Sequence, residues 1–133
     1  DTNKSKYLFA NAFRQSLLLF NLHRAAREIA DRPLVIVEGF FDVMNLHQHG
    51  CRKVVALMGS TMSSVQEELI AQHSKPGGRI IIMTNENDAG QEAREVIARR
   101  LERSHFVKIH AFERPEMQPK HLTLEETQAL FRL

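Results

Sequence analysis

Short runs of branched aliphatic residues alternate along this chain with stretches of helical spacing, and that rhythm constrains the fold more than any other feature. Leu34-Val35-Ile36-Val37 is continuous and apolar, the mark of a strand buried on both faces. Phe41 to His49 follows, with Phe41, Met44 and Leu46 spaced for a helix that Gly50 closes. Lys53 to Met58 reads as a second strand. Ser63-Ser64-Val65-Gln66 is a capping box; it opens a helix carrying Val65, Leu69 and Ile70, which Pro76-Gly77-Gly78 stops. Arg79 to Met83 is a third strand. Ala89 to Arg103 is a long helix with Ala93, Val96, Ile97 and Leu101 on one face, and Phe106 to Phe112 is a fourth strand. Ahead of this series, the apolar residues from Phe13 through Phe20 and Leu22 to Ile29 predict a helix that Pro33 ends. Behind it, Thr123 and Glu126 form a second capping box that starts a last short helix.

Strands alternating with helices imply right-handed crossovers, hence an α/β fold with a mainly parallel sheet of about four strands and helices on both faces. The chain divides into an N-terminal arm and basic helix (1–32), a core (33–114) and a C-terminal tail with a short helix (115–133). Its 133 residues allow one domain, and 43% apolar with 26% charged residues is the balance of a globular domain with a real core. No apolar run reaches the roughly 18–20 residues of a membrane span, and nothing at the start resembles a signal peptide. One cysteine, Cys51, excludes an internal disulfide and a multi-Cys zinc site within these residues. A reducing, cytoplasmic setting is expected. A net charge of +2 is too weak by itself to name nucleic acid as a partner. The chain opens on Asp1 and not Met, as a piece of a longer protein would.

In parallel sheets ligands bind beyond the carboxyl ends of the strands. That rule points to Glu38-Gly39, to Gly59-Ser60-Thr61 and to the stretch from Thr84 to Gly90. Glu38 and Asp42 are four residues apart, so both carboxylates can face one crevice; Asp42 can equally serve the helix dipole while Glu38 ends a solvated strand. Asn85-Glu86-Asn87-Asp88 offers four oxygen-bearing side chains, either as a turn in which Asp88 caps the long helix or as hard ligands for a divalent metal. Gly59-Ser60-Thr61 either presents backbone N–H groups to a phosphate or is a simple turn before the helix. His47 and His49 lie two apart and do not share a helix face as paired ligands would. The arginines of the long helix, interspersed with Glu92, Glu95 and Glu102, read as a solvated, salt-bridged surface.

Taken together, Val35-Ile36-Val37-Glu38-Gly39-Phe40-Phe41-Asp42-Val43, the stretch from Leu46 to Gly50, Ala56-Leu57-Met58-Gly59-Ser60 and the loop ending Ala89-Gly90 resemble the Toprim domain. Bacterial DnaG-type primases, topoisomerases and some nucleases share that domain. The likeness is to the primase branch, because Lys6-Tyr7-Leu8 and the segment from Leu17 to Ala26 are similar to what precedes its glutamate. It covers roughly residues 4–120.

The resemblance implies that Glu38 is the catalytic acid or base, that Asp42 stands beside it, and that an Asp-x-Asp pair holds Mg²⁺ or Mn²⁺ for nucleotidyl transfer or phosphodiester cleavage. It implies DNA or RNA and replication proteins as partners, a zinc-binding module upstream, and nucleic-acid contacts at Lys6 and Arg14, to which the phosphate reading of the Gly59 loop adds Ser60 and Thr61. The sequence departs from the pattern at the metal positions. Asn85 and Asn87 stand where the two aspartates belong, and Gln118-Pro119-Lys120 replaces a further Asp-Pro-Asp. Glu86 and Asp88 are each one residue out of register. Glu38, Asn85 and Asn87, with Asp88 as a substitute, are therefore the candidate metal donors, and the expected grip on the ion is weak. The alternatives are a binding module that kept the fold without the chemistry, and a small nuclease. A topoisomerase is disfavoured, since its tyrosine nucleophile lies in a separate domain and Tyr7 is the only tyrosine here.

Overall fold

The computed structural model describes residues 18–29 and 31–131. Four strands, β1 (Leu34–Val37), β2 (Val54–Ala56), β3 (Arg79–Met83) and β4 (Phe106–Ile109), form one sheet in the order β2-β1-β3-β4. Every pairing is parallel. The helices are α1 (Leu22–Ala25), α2 (Phe40–Gln48), α3 (Ser64–His73), α4 (Asp88–Leu101) and α5 (Leu124–Phe131), with a 3₁₀ turn at Pro119–His121. No helix among the described residues is long and apolar enough to cross a membrane.

All four residues of β1 are buried, as its unbroken apolar run requires. Alternate side chains serve opposite faces of the sheet. Leu34 and Ile36 join Val55, Ile80 and Ile82 under Ile70 of α3 and Ile97, Ala98 and Leu101 of α4. Val35 and Val37 join Val54, Ala56 and Met83 under Val43 and Leu46 of α2, with Leu122, Leu130 and Phe131 from the tail. The tail is thus part of the core.

Several expectations hold in outline and change in detail. Ser63 and Gln66 exchange the reciprocal bonds of a capping box, as do Thr123 and Glu126. In α2 the buried residues are Asp42, Val43 and Leu46, whereas Phe41 and Met44 are 67% and 50% exposed. The expected core face of that helix is therefore turned by about one position. The predicted helix from Phe13 to Ile29 is, over its described part, only the single turn α1. Phe20 and Ala56 exchange main-chain hydrogen bonds at 3.0 and 3.2 Å in an antiparallel bridge. Asn21, at φ 70°, then turns the chain into α1 while its Nδ2 donates to the Val54 carbonyl. Asn tolerates this left-handed geometry better than most residues, and pairing at the sheet edge outweighs local helical spacing. Lys6, Arg14, Phe13 and Leu17 lie outside the described residues.

Candidate nucleic-acid site at the carboxyl end of the sheet

Strand order reverses between β1 and β3, because the chain moves from β1 outward to β2 and then crosses to the other side. A crevice opens at such a point beyond the strand ends, and the residues leaving β1 and β3 are Glu38 and Thr84-Asn85. Glu38 is half-buried, and its Oε2 accepts the Asn85 main-chain N–H at 2.5 Å. Burial, together with the neighbouring Asp42 charge, pushes its carboxyl above the usual range, although the Asn85 bond pulls the other way.

Asp42 is buried and both its oxygens are engaged. Oδ2 accepts the Gly39 N–H at 3.2 Å, and Oδ1 accepts the Lys120 N–H at 2.9 Å. Burial raises its pKa, opposed by these two bonds and by the charges of Lys120 and His121. Gly39 is in extended backbone, φ −122°, so a sharp turn is not why a glycine stands there. A Cβ would lie 3.3 Å from Asp42 Oδ2, so its absence gives room for the carboxylate. One turn on, Asn45 Nδ2 donates to the carbonyls of Pro119 and Leu122 at 3.0 and 2.8 Å. Asp42 and Asn45 together moor the 118–122 segment on α2. Their spacing of three on one helix face is the sequence signal for this, but without a partner segment in view it reads as solvated polarity.

The third loop is braced from within. Thr84 Oγ1 donates to the Gly90 carbonyl at 2.7 Å. Asn87, and not Asp88, caps α4, its Oδ1 accepting the Gly90 N–H at 2.8 Å. Gly90 packs so closely that a Cβ would lie 2.1 Å from the Asn85 carbonyl oxygen. Glu86 turns away from the crevice, bonded to Arg94 Nη1 and to the Phe112 N–H, each at 2.8 Å. Burial alone would raise the Glu86 pKa, but the Arg94 and Phe112 bonds outweigh it and hold the carboxyl below the usual range. Asn85 Oδ1 is buried and has no hydrogen-bond partner among the described residues.

Gly59 donates its N–H to the Glu38 carbonyl at 3.2 Å, and Met58 before it has φ 62°. Ser60 and Thr61 line a hollow of about 320 Å³ against Ala89, Ala93 and Val96 of α4. Phe40 and Phe41 stand next to Glu38-Gly39, 38% and 67% exposed, with ring centroids 5.4 Å apart. Phe20 lies 4.9 Å from the Phe40 ring.

The profile of the Toprim domain matches residues 32–113. The chain belongs to the Toprim family. Among its relatives is the DNA primase of Clostridium acetobutylicum, 30% identical over 96 residues, a match covering 70% of this chain and 16% of that primase. The Aquifex aeolicus primase, solved as its zinc-binding and RNA polymerase domains, is 26% identical with a TM-score of 0.72, covering 89% of this chain and 29% of that one. The RNA polymerase domain of Mycobacterium tuberculosis primase, in complex with a double-stranded DNA oligomer bearing a 6-nucleotide overhang, is 27% identical with a TM-score of 0.58, covering 86% and 37%. The Toprim unit described here is that of a DNA primase-like protein, and it spans a small fraction of those relatives.

A Toprim metal site needs several hard, anionic oxygens converging on one point. Among the described residues no three His, Cys, Asp or Glu side chains converge in that way. Both Asp42 oxygens already accept main-chain N–H groups, Asn87 Oδ1 caps α4, and Glu86 is paired with Arg94. The loop oxygen left without a hydrogen-bond partner among the described residues is the buried, neutral Asn85 Oδ1, on the residue whose main-chain N–H meets the Glu38 carboxylate. The Lys120 and His121 charges lie close to Asp42, where a cation would have to come. This set of residues does not fit a tightly held divalent ion.

Proposed function

We propose that the chain is the Toprim module of a primase-like protein that binds DNA or RNA, and that it carries out no metal-dependent nucleotidyl transfer by itself. The observation behind this reading is the engagement of Asp42. Its two oxygens hold the Gly39 and Lys120 amides, so the second carboxylate of the Toprim crevice serves to fasten a turn. Asn85 and Asn87 are neutral where charge would be needed to retain the ion and clamp the reacting phosphates, and the Asn87 oxygen is already taken by the Gly90 N–H. In this reading Glu38 is the one crevice carboxylate placed to accept a proton or meet a cation, and Asp42 supports it from behind.

Nucleic acid is the proposed ligand for two reasons. The related Mycobacterium tuberculosis domain was solved with a DNA oligomer. At this chain's own crevice, Phe40 and Phe41 offer exposed ring faces, and bases stack on such platforms irrespective of sequence. Ser60 and Thr61, at the mouth of the adjoining hollow, are proposed to meet the backbone, and so are Lys6 and Arg14. The test joins two assays on the intact chain, oligonucleotide binding and nucleotide incorporation with Mg²⁺ or Mn²⁺. Binding without metal and without incorporation supports the module; metal-dependent incorporation or cleavage abolished by Glu38→Gln supports the enzyme.

A further inference from the structure

The opposite, amino end of the sheet carries a larger hollow, of about 750 Å³. Among the described residues, the face of the sheet that α2 and α5 cover is left open over β3 and β4. On β4 the side chains of Phe106 and Lys108 point to that face, in register with Arg79 and Ile81 of β3. Phe106 is 73% exposed, the most exposed large apolar side chain among the described residues. A parallel sheet is normally covered on both faces, so this half-face awaits an occupant.

Charge says what kind. Arg32, Arg52, Lys53, Arg79 and Lys108 line the hollow against one carboxylate, Glu28. Among the described residues no ion pair engages Arg32, Arg52, Arg79 or Lys108; Arg79 donates only to the main-chain oxygen of Asp31, whose carboxylate lies near Lys53. Arg52, Arg32 and Arg79 precede or begin β2, β1 and β3, so they form a row across the sheet edge about 10 Å wide at the usual strand spacing, and Lys108, two residues into β4, extends it onto the open face. A row suits a polyanion better than a single phosphate.

We infer that the amino end of the sheet is a second contact for single-stranded nucleic acid, with a base on the Phe106 ring and phosphates along Arg32, Arg52, Arg79 and Lys108. It rests on the nucleic-acid reading above but not on the crevice, which lies at the other end of the strands.

The probe is a fluorescein-labelled oligodeoxythymidylate, titrated by anisotropy against the intact chain across a salt series. Phe106→Ala weakens binding about fivefold or more, the loss of one base–aromatic stack. Arg52→Gln and Lys108→Gln each lower the magnitude of the salt slope by about 0.7, one phosphate contact apiece. Thermal unfolding confirms the fold of each variant, which is expected to be unchanged because the three side chains are exposed. Glu38→Gln and Phe41→Ala report on the crevice separately. Binding that is lost only in the crevice variants overturns this inference and leaves the proposed function standing, with the half-face then assigned to an acidic protein segment. No binding by the intact chain overturns both.

Discussion

The Glu38 carboxylate accepts the main-chain N–H of Asn85 at 2.5 Å, which ties the exit of β1 to the exit of β3 across the point where strand order reverses. The side chain that the family's chemistry would use is therefore also a brace between two loops. Its position beside Asp42 in a partly desolvated crevice disfavours the ionised form.

That has a stability consequence with a definite sign. Because the native Glu38 pKa lies above its ordinary value of 4.5, the folded state binds a proton more readily than the unfolded chain. The resulting stabilisation is complete below that ordinary value and is lost as pH rises through the raised native one. Glu38→Gln, which keeps an acceptor for Asn85 and removes the charge, is expected to raise the melting temperature at pH 7 by a few degrees. The gain should disappear near pH 4. Thermal unfolding at the two pH values checks this, and a lower melting temperature at pH 7 would contradict it.

Asp42 is expected to matter more for structure than its exposed neighbours do. Asp42→Ala leaves the Gly39 and Lys120 amides without their acceptor and leaves the 118–122 turn held to α2 by Asn45 alone. The loss should be about 2–4 kcal/mol, read by urea unfolding. Faster hydrogen exchange at the Lys120 amide would locate it.

Two glycines of the site should rank clearly. Gly90→Ala drives a Cβ into the Asn85 carbonyl oxygen at 2.1 Å, a main-chain clash that nothing nearby can relieve. A loss of at least about 2 kcal/mol is expected. Gly39→Ala meets only the Asp42 side chain, at 3.3 Å, and should cost less than about 1 kcal/mol. Equal effects would contradict the close approach described for Gly90.

The Glu86–Arg94 pair, with side chains 7% and 13% exposed, locks the third loop against the chain leaving β4. Glu86→Ala leaves Arg94 and the Phe112 N–H unmatched, at an expected cost of about 2–4 kcal/mol. Since Arg94 and Phe112 hold the Glu86 pKa below its ordinary value, this stabilisation is present above that value and fades as pH falls through the lowered one. The wild type and Glu86→Ala should converge in stability under strongly acidic conditions.

Much of this was legible in the residues. The β1 run, the Ser63 and Thr123 boxes and the three polar loops at the strand ends follow from local pattern, and so does the parallel order of the sheet. What was not legible depends on distant partners. Phe20 leaves the helical pattern because Ala56 offers a sheet edge; the cap of α4 is the local exception, Asn87 and not Asp88 being three residues before the Gly90 N–H that it accepts. Asn45 acquires a role only when residues 119–122 fold back on α2. Glu86, one residue out of register with the missing aspartates, is held by Arg94, eight residues on, and by the Phe112 N–H of the chain leaving β4.

Whether the crevice has lost its grip on divalent cations is decided by metal binding. Titrating Mn²⁺ into the intact chain and into Asn85→Asp/Asn87→Asp, by calorimetry, compares the present crevice with one whose charge is restored. The wild type is expected to show no saturable binding at millimolar metal, and the double variant to show a site that adding Glu38→Gln weakens. Saturable wild-type binding well below millimolar, abolished by Glu38→Gln alone, would contradict it.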